Sequence, residues 1–348
     1  MKYKNIIEGI FLRKLNRFTA EVEVDGEIKL AHLPTTARLR ELLIPGAKCY
    51  LEEALNKKRK TPYTLISIEK NDEILNIVST VANDLVYEKI IGEEILTDLK
   101  IKDLKKEVTY SHSRFDFGFT TIDGEEGFIE VKSVNLKRNN ISMFPGSPTE
   151  RGRKHLIELA DAKSKGKIEV LVIVVLFEEM DFFTANIATD PLWSKELLKS
   201  LKAGVEIVGF NSRVTKDSIE LKDEIEIDLG YSIEDSKDKN TFVFKNKTKS
   251  LASFTLKEKN KIDNGNNLSN DDCLLISEIE ASFCSKKSFT ALISFIEQKT
   301  SDMKLEILKI ELGSGKNDLE NILKELNYRE VKFPHNNRNK LFEKFIDK

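Results

Sequence analysis

Cysteine is scarce in this sequence of 348 residues, which has three, Cys49, Cys273 and Cys284. They are widely spaced, odd in number and form no CxxC pair. This pattern argues against a disulfide framework and against a cysteine zinc site. A reducing compartment therefore fits the chain best.

Long hydrophobic runs are also missing. The most apolar stretch, 168–177, contains Glu169 and is about half the length that a membrane-spanning helix needs. The first residues, 1–11, include Glu8 and lack the hydrophobic region of a signal peptide. We therefore expect a cytoplasmic protein in which 168–177 forms a buried strand.

A charge excess of one sign is absent too, because 56 basic residues face 58 acidic ones and the net charge is −2. Any binding to nucleic acid must therefore use local basic patches rather than a global positive field. A composition of 40% hydrophobic and 33% charged residues over this length predicts two or three folded domains.

The first 82 residues show short alternating runs separated by turn signals. Asp25-Gly26 lies between two such runs, 18–24 and 27–30, and this dipeptide is the strongest short hairpin signal. Further strands are expected at 48–52 and 63–68. We predict an OB-like β-barrel over 1–82.

A mixed α/β domain is predicted over 83–231, where a helical period begins and is followed by strands and helices in turn. Ser147 as cap, Pro148 and Glu150 predict where the second helix starts. The expected strands are 107–110, 114–119, 128–134, 168–177 and 205–210, and the expected later helices are 148–164 and 193–203.

The last third of the chain changes composition. Residues 232–270 are rich in Lys, Asn, Asp and Ser, which predicts a polar linker. Patterned sequence returns over 271–348, with helices expected at 288–298 and 317–326 around a strand at 304–312. The overall fold class is thus α+β or mixed, with a small C-terminal α/β domain of unassigned role.

Three residues on adjacent strands could carry chemistry. Glu130 and Lys132 are two apart in a predicted strand, so they point to one face while Ile129 and Val131 point to the other. Carboxylates on neighbouring strands can hold a divalent cation that activates water for phosphodiester hydrolysis. Asp116 on the preceding strand reaches that site only if the Asp123-Gly124 turn has an odd number of residues or a bulge. The alternative is an ordinary solvated strand face.

The helix that follows carries a polar face with Arg151, Lys154, His155 and Glu158. Near the positive end of the helix dipole, Arg151 and Lys154 could contact a phosphate. His155 is interpreted as an orienting residue rather than a metal ligand, and Glu158 as a solvated side chain.

Two basic groups lie beside aromatic residues in the predicted barrel. One is the run 57–60, with Lys58 and Arg59, which precedes Tyr63, and the other is Arg13, Lys14 and Arg17 beside Phe18. Cations next to an aromatic ring suit a nucleic-acid backbone with a stacked base. A lysine-rich loop formed by chance is the alternative for either group alone.

Several motifs, in order from 11 to 231, resemble the sugar fermentation stimulation protein A (SfsA) family. They are Asn16-Arg17-Phe18, His32-Leu33-Pro34, Arg38, Glu41-Leu42-Leu43, Pro45-Gly46, Arg59-Lys60-Thr61 with Tyr63, Ser113-Arg114-Phe115-Asp116-Phe117, Glu130-Val131-Lys132-Ser133-Val134, Thr149, Arg151-Gly152 and Lys154-His155-Leu156.

The resemblance implies a bacterial protein with an OB-like domain followed by a domain of the PD-(D/E)XK nuclease fold. The nuclease aspartate then falls on Asp116, and the glutamate and lysine on Glu130 and Lys132, with Mg²⁺ or Mn²⁺ as the cofactor. Glu88, in competition with Glu93 and Glu94, is the candidate for an additional acidic metal ligand.

The resemblance further implies DNA binding without marked sequence preference and a role in regulating sugar metabolism. Arg114 joins Arg151, Lys154 and His155 as candidate nucleic-acid contacts. The chain departs from the family pattern at Thr35 to Ala37, where a turn would contain Asn and Gly, and at Gly146, where an acid is expected.

Three functions remain open from the sequence. A DNA-binding protein without turnover ranks first, and an active Mg²⁺- or Mn²⁺-dependent nuclease ranks second. A protein-interaction role of the C-terminal region is the third. The sequence does not separate DNA from RNA, since every phosphate backbone attracts the same cations.

Overall fold

We describe the protein from a computed structural model. It covers residues 1–35, 37–56, 59–92, 98–236, 240–259, 273–281, 285–313, 315–331 and 339–346. The chain forms two compact units, one of Met1–Ala185 with Asp190–Ile227 and one of Asn186–Thr189 with Asp228–Lys348. Within the described ranges no helix has both the length and the apolar composition that a membrane crossing requires.

The first part of unit 1 is an OB-like barrel, as predicted. Its strands follow the order β3-β2-β1-β4-β5-β6, and a parallel pairing of β3 with β5 closes it. Asp25 and Gly26 have φ values of 51° and 79°, which are those of the tight hairpin turn expected there. The strands are β1 (Ile6–Asn16), β2 (Thr19–Val24), β3 (Glu27–His32), β4 (Lys48–Glu53), β5 (Tyr63–Lys70) and β6 (Glu73–Asn76).

The second part of unit 1 is a mixed sheet flanked by helices. Its strands follow the order β15-β14-β12-β9-β8-β7, and β12 pairs in parallel with both β9 and β14. The elements are α1 (Val81–Ile91), β7 (Ile101–Tyr110), β8 (Ser113–Thr121), β9 (Glu126–Val134), β10 (Leu136–Arg138), β11 (Ile141–Phe144), α2 (Glu150–Ser164), β12 (Ile168–Val175), β13 (Phe182–Ala185), α3 (Pro191–Lys202), β14 (Glu206–Val214) and β15 (Ile219–Glu224).

The continuous apolar run of β12 follows from its central place in this sheet. A parallel strand with neighbours on both sides and helices on its faces buries side chains in both directions. All residues of β12 after Ile168 are accordingly buried. The prediction of a buried strand here is confirmed.

The start of α2 differs from the prediction. Thr149, rather than Ser147, caps the helix, and its side chain accepts a hydrogen bond from the Gly152 backbone N–H at 3.0 Å. The Thr149 N–H is itself bonded to the Asp190 carboxylate at 2.8 Å. This contact comes from a residue 41 positions away and favours Thr149 over Ser147 as the cap. The local sequence does not reveal such a contact.

The barrel and the mixed sheet share one hydrophobic core within unit 1. Tyr3, Tyr50 and Ile66 of the barrel pack in the same buried cluster as Val131 and Val174 of the sheet. A hydrogen bond from the Asn76 side-chain amide to the Tyr3 hydroxyl, 2.9 Å long, crosses the same region. The barrel is therefore fastened to the sheet by packing.

Unit 2 contains a seven-stranded sheet with the order β16-β17-β18-β19-β20-β22-β21, in which β19 and β20 are parallel. The predicted helices and strand of the C-terminal α/β domain are present. The elements are β16 (Tyr231–Asp235), β17 (Thr241–Asn246), β18 (Lys249–Lys259), β19 (Cys273–Glu280), α4 (Lys286–Asp302), β20 (Ile307–Leu312), α5 (Asn317–Glu325), β21 (Arg329–Val331) and β22 (Lys340–Phe345).

The prediction of a polar linker over 232–270 is wrong for its first part. Residues 231–235, 241–246 and 249–259 instead form β16, β17 and β18 of the unit 2 sheet, and residues 237–239 lie outside the described ranges. Phe244 and Phe254 are buried among mostly polar neighbours, and Phe244 stacks on Tyr231 at a ring distance of 5.3 Å. A few well-placed aromatic residues thus anchor strands whose average composition is polar. Residues 260–270 lie outside the described ranges.

Candidate functional site

The hairpin between β8 and β9 has the odd loop that the candidate site requires. The pairs run from Phe117↔Ile129 to Thr120↔Glu126. The Thr121 N–H bonds the Glu125 carbonyl, which leaves three residues, 122–124, in the loop. Gly124 has a φ of 84°, as expected for the last position of a three-residue hairpin loop. Continuing this register by one step sets Asp116 opposite Glu130, so the predicted odd loop is confirmed.

Asp116 lies where β8 and β9 separate. The paired register ends at Phe117↔Ile129, and the Val131 N–H donates to Oδ2 of Asp116 at 2.8 Å. The carboxylate therefore lies between the strands and accepts a backbone hydrogen bond from β9. Its other oxygen, Oδ1, accepts from the Asn83 side-chain amide of α1 at 2.7 Å.

Glu130 and Lys132 point away from the core that Ile129 and Val131 enter, as the alternation predicts. The Glu130 carboxylate is only 2% exposed. Its Oε1 contacts Nζ of Lys132 and, at 2.5 Å, Nδ1 of His155. Its Oε2 is buried and meets no hydrogen-bond partner among the residues that the structure describes. A buried carboxylate oxygen without a hydrogen-bond partner favours the binding of a cation or a further hydrogen-bond donor.

The two carboxylates differ in their electrostatics. Burial, and then the charge of Glu130, raise the pKa of Asp116, although hydrogen bonds from Val131 and Asn83 and the charge of Lys132 oppose them. Burial also acts to raise the pKa of Glu130, but Lys132 and His155 outweigh it and the pKa falls below its ordinary value. Two carboxyl groups thus share a poorly solvated space, which a divalent cation would stabilise.

The helix α2 supplies His155 from one side. Nε of Arg151 lies 3.4 Å from Nε2 of His155, and Nδ1 of the same ring faces Glu130. The His155 side chain is 5% exposed, whereas Arg151 is on the surface. His155 therefore contacts Glu130 from the inner side of the helix, and Arg151 lies at the surface beside it.

Other predicted residues around α2 vary in their placement. Lys154 is exposed and donates to the His112 carbonyl at 2.8 Å, and Arg114 is exposed and lies 3.4 Å from Glu107. The expectation that Glu158 is solvated is wrong, because its side chain is buried beneath the helix. The α2 helix covers the sheet with Glu158 on its inner side, which the polar pattern alone does not show.

Glu88 does not join this cluster. It is exposed, and its carboxylate lies 3.6 Å from the Met1 amino group. Asn83 and Glu88 are five residues apart on α1, which at about 100° per residue directs them to different sides of the helix. No set of three His, Cys, Asp or Glu residues within the described ranges is arranged to hold a metal ion. The expected third acidic ligand is therefore missing from the described part of the site, and Glu93 and Glu94, the competing candidates for this role, lie outside the described residues.

Asn83 is the site residue that the sequence did not indicate. It stands in the first turn of α1, beside the buried residues Val81, Ala82 and Leu85. Nothing in the local pattern distinguishes it from other surface asparagines. Only the packing of α1 across β9 brings it to Asp116.

The barrel presents the predicted cations at its surface. Arg13 is paired with Glu21 at 2.6 Å, and the Arg17 guanidinium lies 5.3 Å from the centre of the exposed Phe18 ring. Arg59 is exposed, and Lys58 lies outside the described residues. Arg17 and Phe18 together form a small surface of cation and ring, which we call the Arg17–Phe18 patch.

Comparisons with known proteins agree with the fold and with the order of motifs. The family model "Sugar fermentation stimulation protein RE domain" matches residues 80–218, and "SfsA N-terminal OB domain" matches residues 12–77. A sugar fermentation stimulation protein homolog from Alkaliphilus oremlandii is 40% identical over 232 residues, which cover 66% of this chain and 99% of that protein. A homolog from Clostridium tetani is 40% identical over 226 residues, which cover 65% of this chain and 98% of that protein.

A solved structure of SfsA from Pyrococcus furiosus, described as a complex with Ca²⁺, is also similar. Its TM-score is 0.59 at 30% sequence identity, and the similarity covers 65% of this chain and 97% of that one. These alignments leave about a third of the chain unmatched, and the second of the two family models along the chain ends at residue 218. Residues 12–218 carry the family's two domains in order, and this chain therefore belongs to the sugar fermentation stimulation protein (SfsA) family.

Proposed function

We propose that this protein binds DNA and hydrolyses phosphodiester bonds at Asp116, Glu130 and Lys132 with the help of Mg²⁺ or Mn²⁺. The observation that carries the proposal is the buried Oε2 of Glu130, which has no partner in the described part of the chain and belongs to the carboxylate opposite Asp116. A hard divalent cation prefers such oxygen ligands. The Ca²⁺ in the Pyrococcus furiosus SfsA structure supports the same class of ion for this chain.

The residues fit such an ion by their chemistry. Asp116 and Glu130 would hold it, and the bound ion would supply Lewis-acid stabilisation of the phosphate and a more acidic water. Oε2 of Glu130 accepts no hydrogen bond from the described residues and each oxygen of Asp116 accepts one, so these three oxygens retain acceptor capacity. Among the described residues no third acidic ligand joins them, which agrees with a cation held by two carboxylates, with water and phosphate oxygens completing its shell.

The surrounding side chains have separate roles. Lys132 contacts Oε1 of Glu130, from which its ammonium can orient an attacking water and oppose charge that develops on the phosphate. His155 holds Glu130 in place through Nδ1. Arg151, at the surface beside His155, is suited to contact a neighbouring phosphate.

The test is cleavage of single- and double-stranded DNA by the full-length protein in Mn²⁺. Lys132→Ala is expected to lower the rate by about 100-fold or more, as expected for loss of a group that stabilises transition-state charge. Lys216→Ala, in an exposed position outside the site, is the matched control and should cut like the unaltered protein. Equal cutting by the Lys132→Ala protein would reject the proposed nuclease site.

A second candidate function is DNA binding by the barrel without turnover. The Arg17–Phe18 patch favours it, because an exposed ring beside a guanidinium suits a stacked base and its phosphate. The affinity of the protein for DNA should fall steeply as the salt concentration rises, because basic side chains that bind phosphates release counterions from the DNA backbone. Tight, salt-sensitive binding with no cutting in Mn²⁺ would favour this function over hydrolysis, and salt-insensitive binding would count against it.

A further inference from the structure

We propose that Asn83 is a positioning residue that holds the Asp116 carboxylate in place. Because its amide is neutral and adds no third carboxylate, the site binds one divalent cation rather than two. This inference rests on the proposed function of the same site. It assigns a role to a residue on α1 that reaches the site through its hydrogen bond to Asp116.

The contact itself is specific. Nδ2 of Asn83 donates to Oδ1 of Asp116 at 2.7 Å, while the Val131 N–H donates to Oδ2 at 2.8 Å. The two donors approach different oxygens of one carboxylate from α1 and from β9. Since an ionised carboxylate only accepts hydrogen bonds, the amide nitrogen must face it. Rotation of the Asp116 side chain would break one or both bonds.

The helix that carries Asn83 is held firmly. Val81, Ala82, Leu85 and Val86 on either side of it are buried in the core shared with β9. The backbone of this first turn, from which the Asn83 side chain extends, is therefore held in a fixed position relative to the sheet. Asn83 restrains Asp116 from a packed element, which is the support that a metal ligand needs to keep its geometry.

The neutrality of Asn83 matters as much as its hydrogen bond. The register of β8 and β9 sets Asp116 opposite Glu130, so two carboxylates already lie close together here. A carboxylate in place of the amide would add a third negative charge and remove a donor. The amide instead stabilises the anion that binds the cation, without enlarging the ligand set.

The number of acidic groups then sets the number of ions. Glu88 is turned away and paired with the Met1 amino group, and no three acidic or metal-binding side chains converge in the described ranges. Two-ion sites bring the cations to about 3.5–4 Å from each other, and their mutual repulsion requires further anionic ligands. Two carboxylates suit one ion that keeps several water molecules.

Calorimetric titration of the full-length protein with Mn²⁺ tests this inference. We expect one ion per chain in the unaltered protein. Asn83→Ala should keep that stoichiometry and weaken affinity about tenfold or more, the usual effect of removing a residue that supports a metal ligand. Asp84→Asn is the matched control, because Asp84 is the next residue in the helix and is exposed, and its affinity should not change.

Asn83→Asp provides a variant of nearly the same shape in case the alanine protein does not fold. With a third carboxylate it should melt below the unaltered protein without metal, and Mn²⁺ should raise its melting temperature by more than it raises that of the unaltered protein. Two ions in the unaltered protein, or unchanged Mn²⁺ affinity in Asn83→Ala, would overturn the inference alone. If the unaltered protein bound no Mn²⁺, both this inference and the proposed function would be overturned.

Discussion

Glu169 lies at a position where an ionised carboxyl group is costly. It belongs to the central strand β12, its side chain is 1% exposed, and neither carboxylate oxygen has a hydrogen-bond partner in the described part of the chain. Burial raises its pKa from 4.5 to about 9, against the opposing charges of Lys163 and Lys167. The carboxyl group therefore keeps its proton in the folded protein at neutral pH.

This difference makes stability depend on pH with a defined sign. Between pH 4.5 and about 9 the unfolded chain has released the proton while the folded chain retains it. The folded state binds more protons, so the free energy of unfolding falls by about 1.4 kcal/mol per pH unit as the pH rises. From pH 4.5 to pH 7 the loss attributable to Glu169 is about 3 kcal/mol.

Glu169→Gln removes the titrating group and retains nearly the same shape. The variant should match the unaltered protein near pH 4, below the pKa of Glu169 in the unfolded chain, and exceed its stability by about 3 kcal/mol at pH 7. Urea unfolding at several pH values measures the difference. The chain has one tryptophan, Trp193, which is fully buried in unit 1, so its fluorescence reports the unit that contains Glu169.

Glu125→Gln is the control, because Glu125 is an exposed residue at the hairpin and should leave the pH profile unchanged. Parallel profiles for Glu169→Gln and the unaltered protein would refute the reasoning. That outcome would mean that Glu169 is solvated or paired in solution.

Two further predictions concern parts of unit 1 outside the carboxylate site. Asp190→Ala should lower the free energy of unfolding by about 3–5 kcal/mol. Asp190 is 2% exposed and accepts two hydrogen bonds from Arg153, at 2.9 and 3.0 Å. A loss below about 1 kcal/mol in urea unfolding would contradict this prediction. Phe18→Ala should weaken binding of single-stranded DNA about tenfold without lowering the melting temperature, since the ring is 49% exposed, and unchanged affinity in a filter-binding assay would remove the ring from the interface.

Local sequence determined much of unit 1. Asp25-Gly26 forms its hairpin because both residues tolerate positive φ, and Glu130 and Lys132 share a face because strand side chains alternate. The three-residue loop ends at Gly124, which takes the positive φ that such a loop requires, and the resulting register sets Asp116 opposite Glu130. These features depend on backbone sterics and on a period of two residues, which a sequence displays directly.

Tertiary packing decided the rest. Thr149 caps α2 because Asp190, far along the chain, holds its N–H, and Asn83 reaches Asp116 because α1 packs across β9. Glu158 is buried although it shares a helical face with the polar residues Arg151, Lys154 and His155. Each of these outcomes depends on contacts between segments distant in sequence, so their energies cannot be read from local composition. Sequence alone thus determined which residues could form a cation site, and only the packing of α1 and α2 on the sheet decided which of them meet.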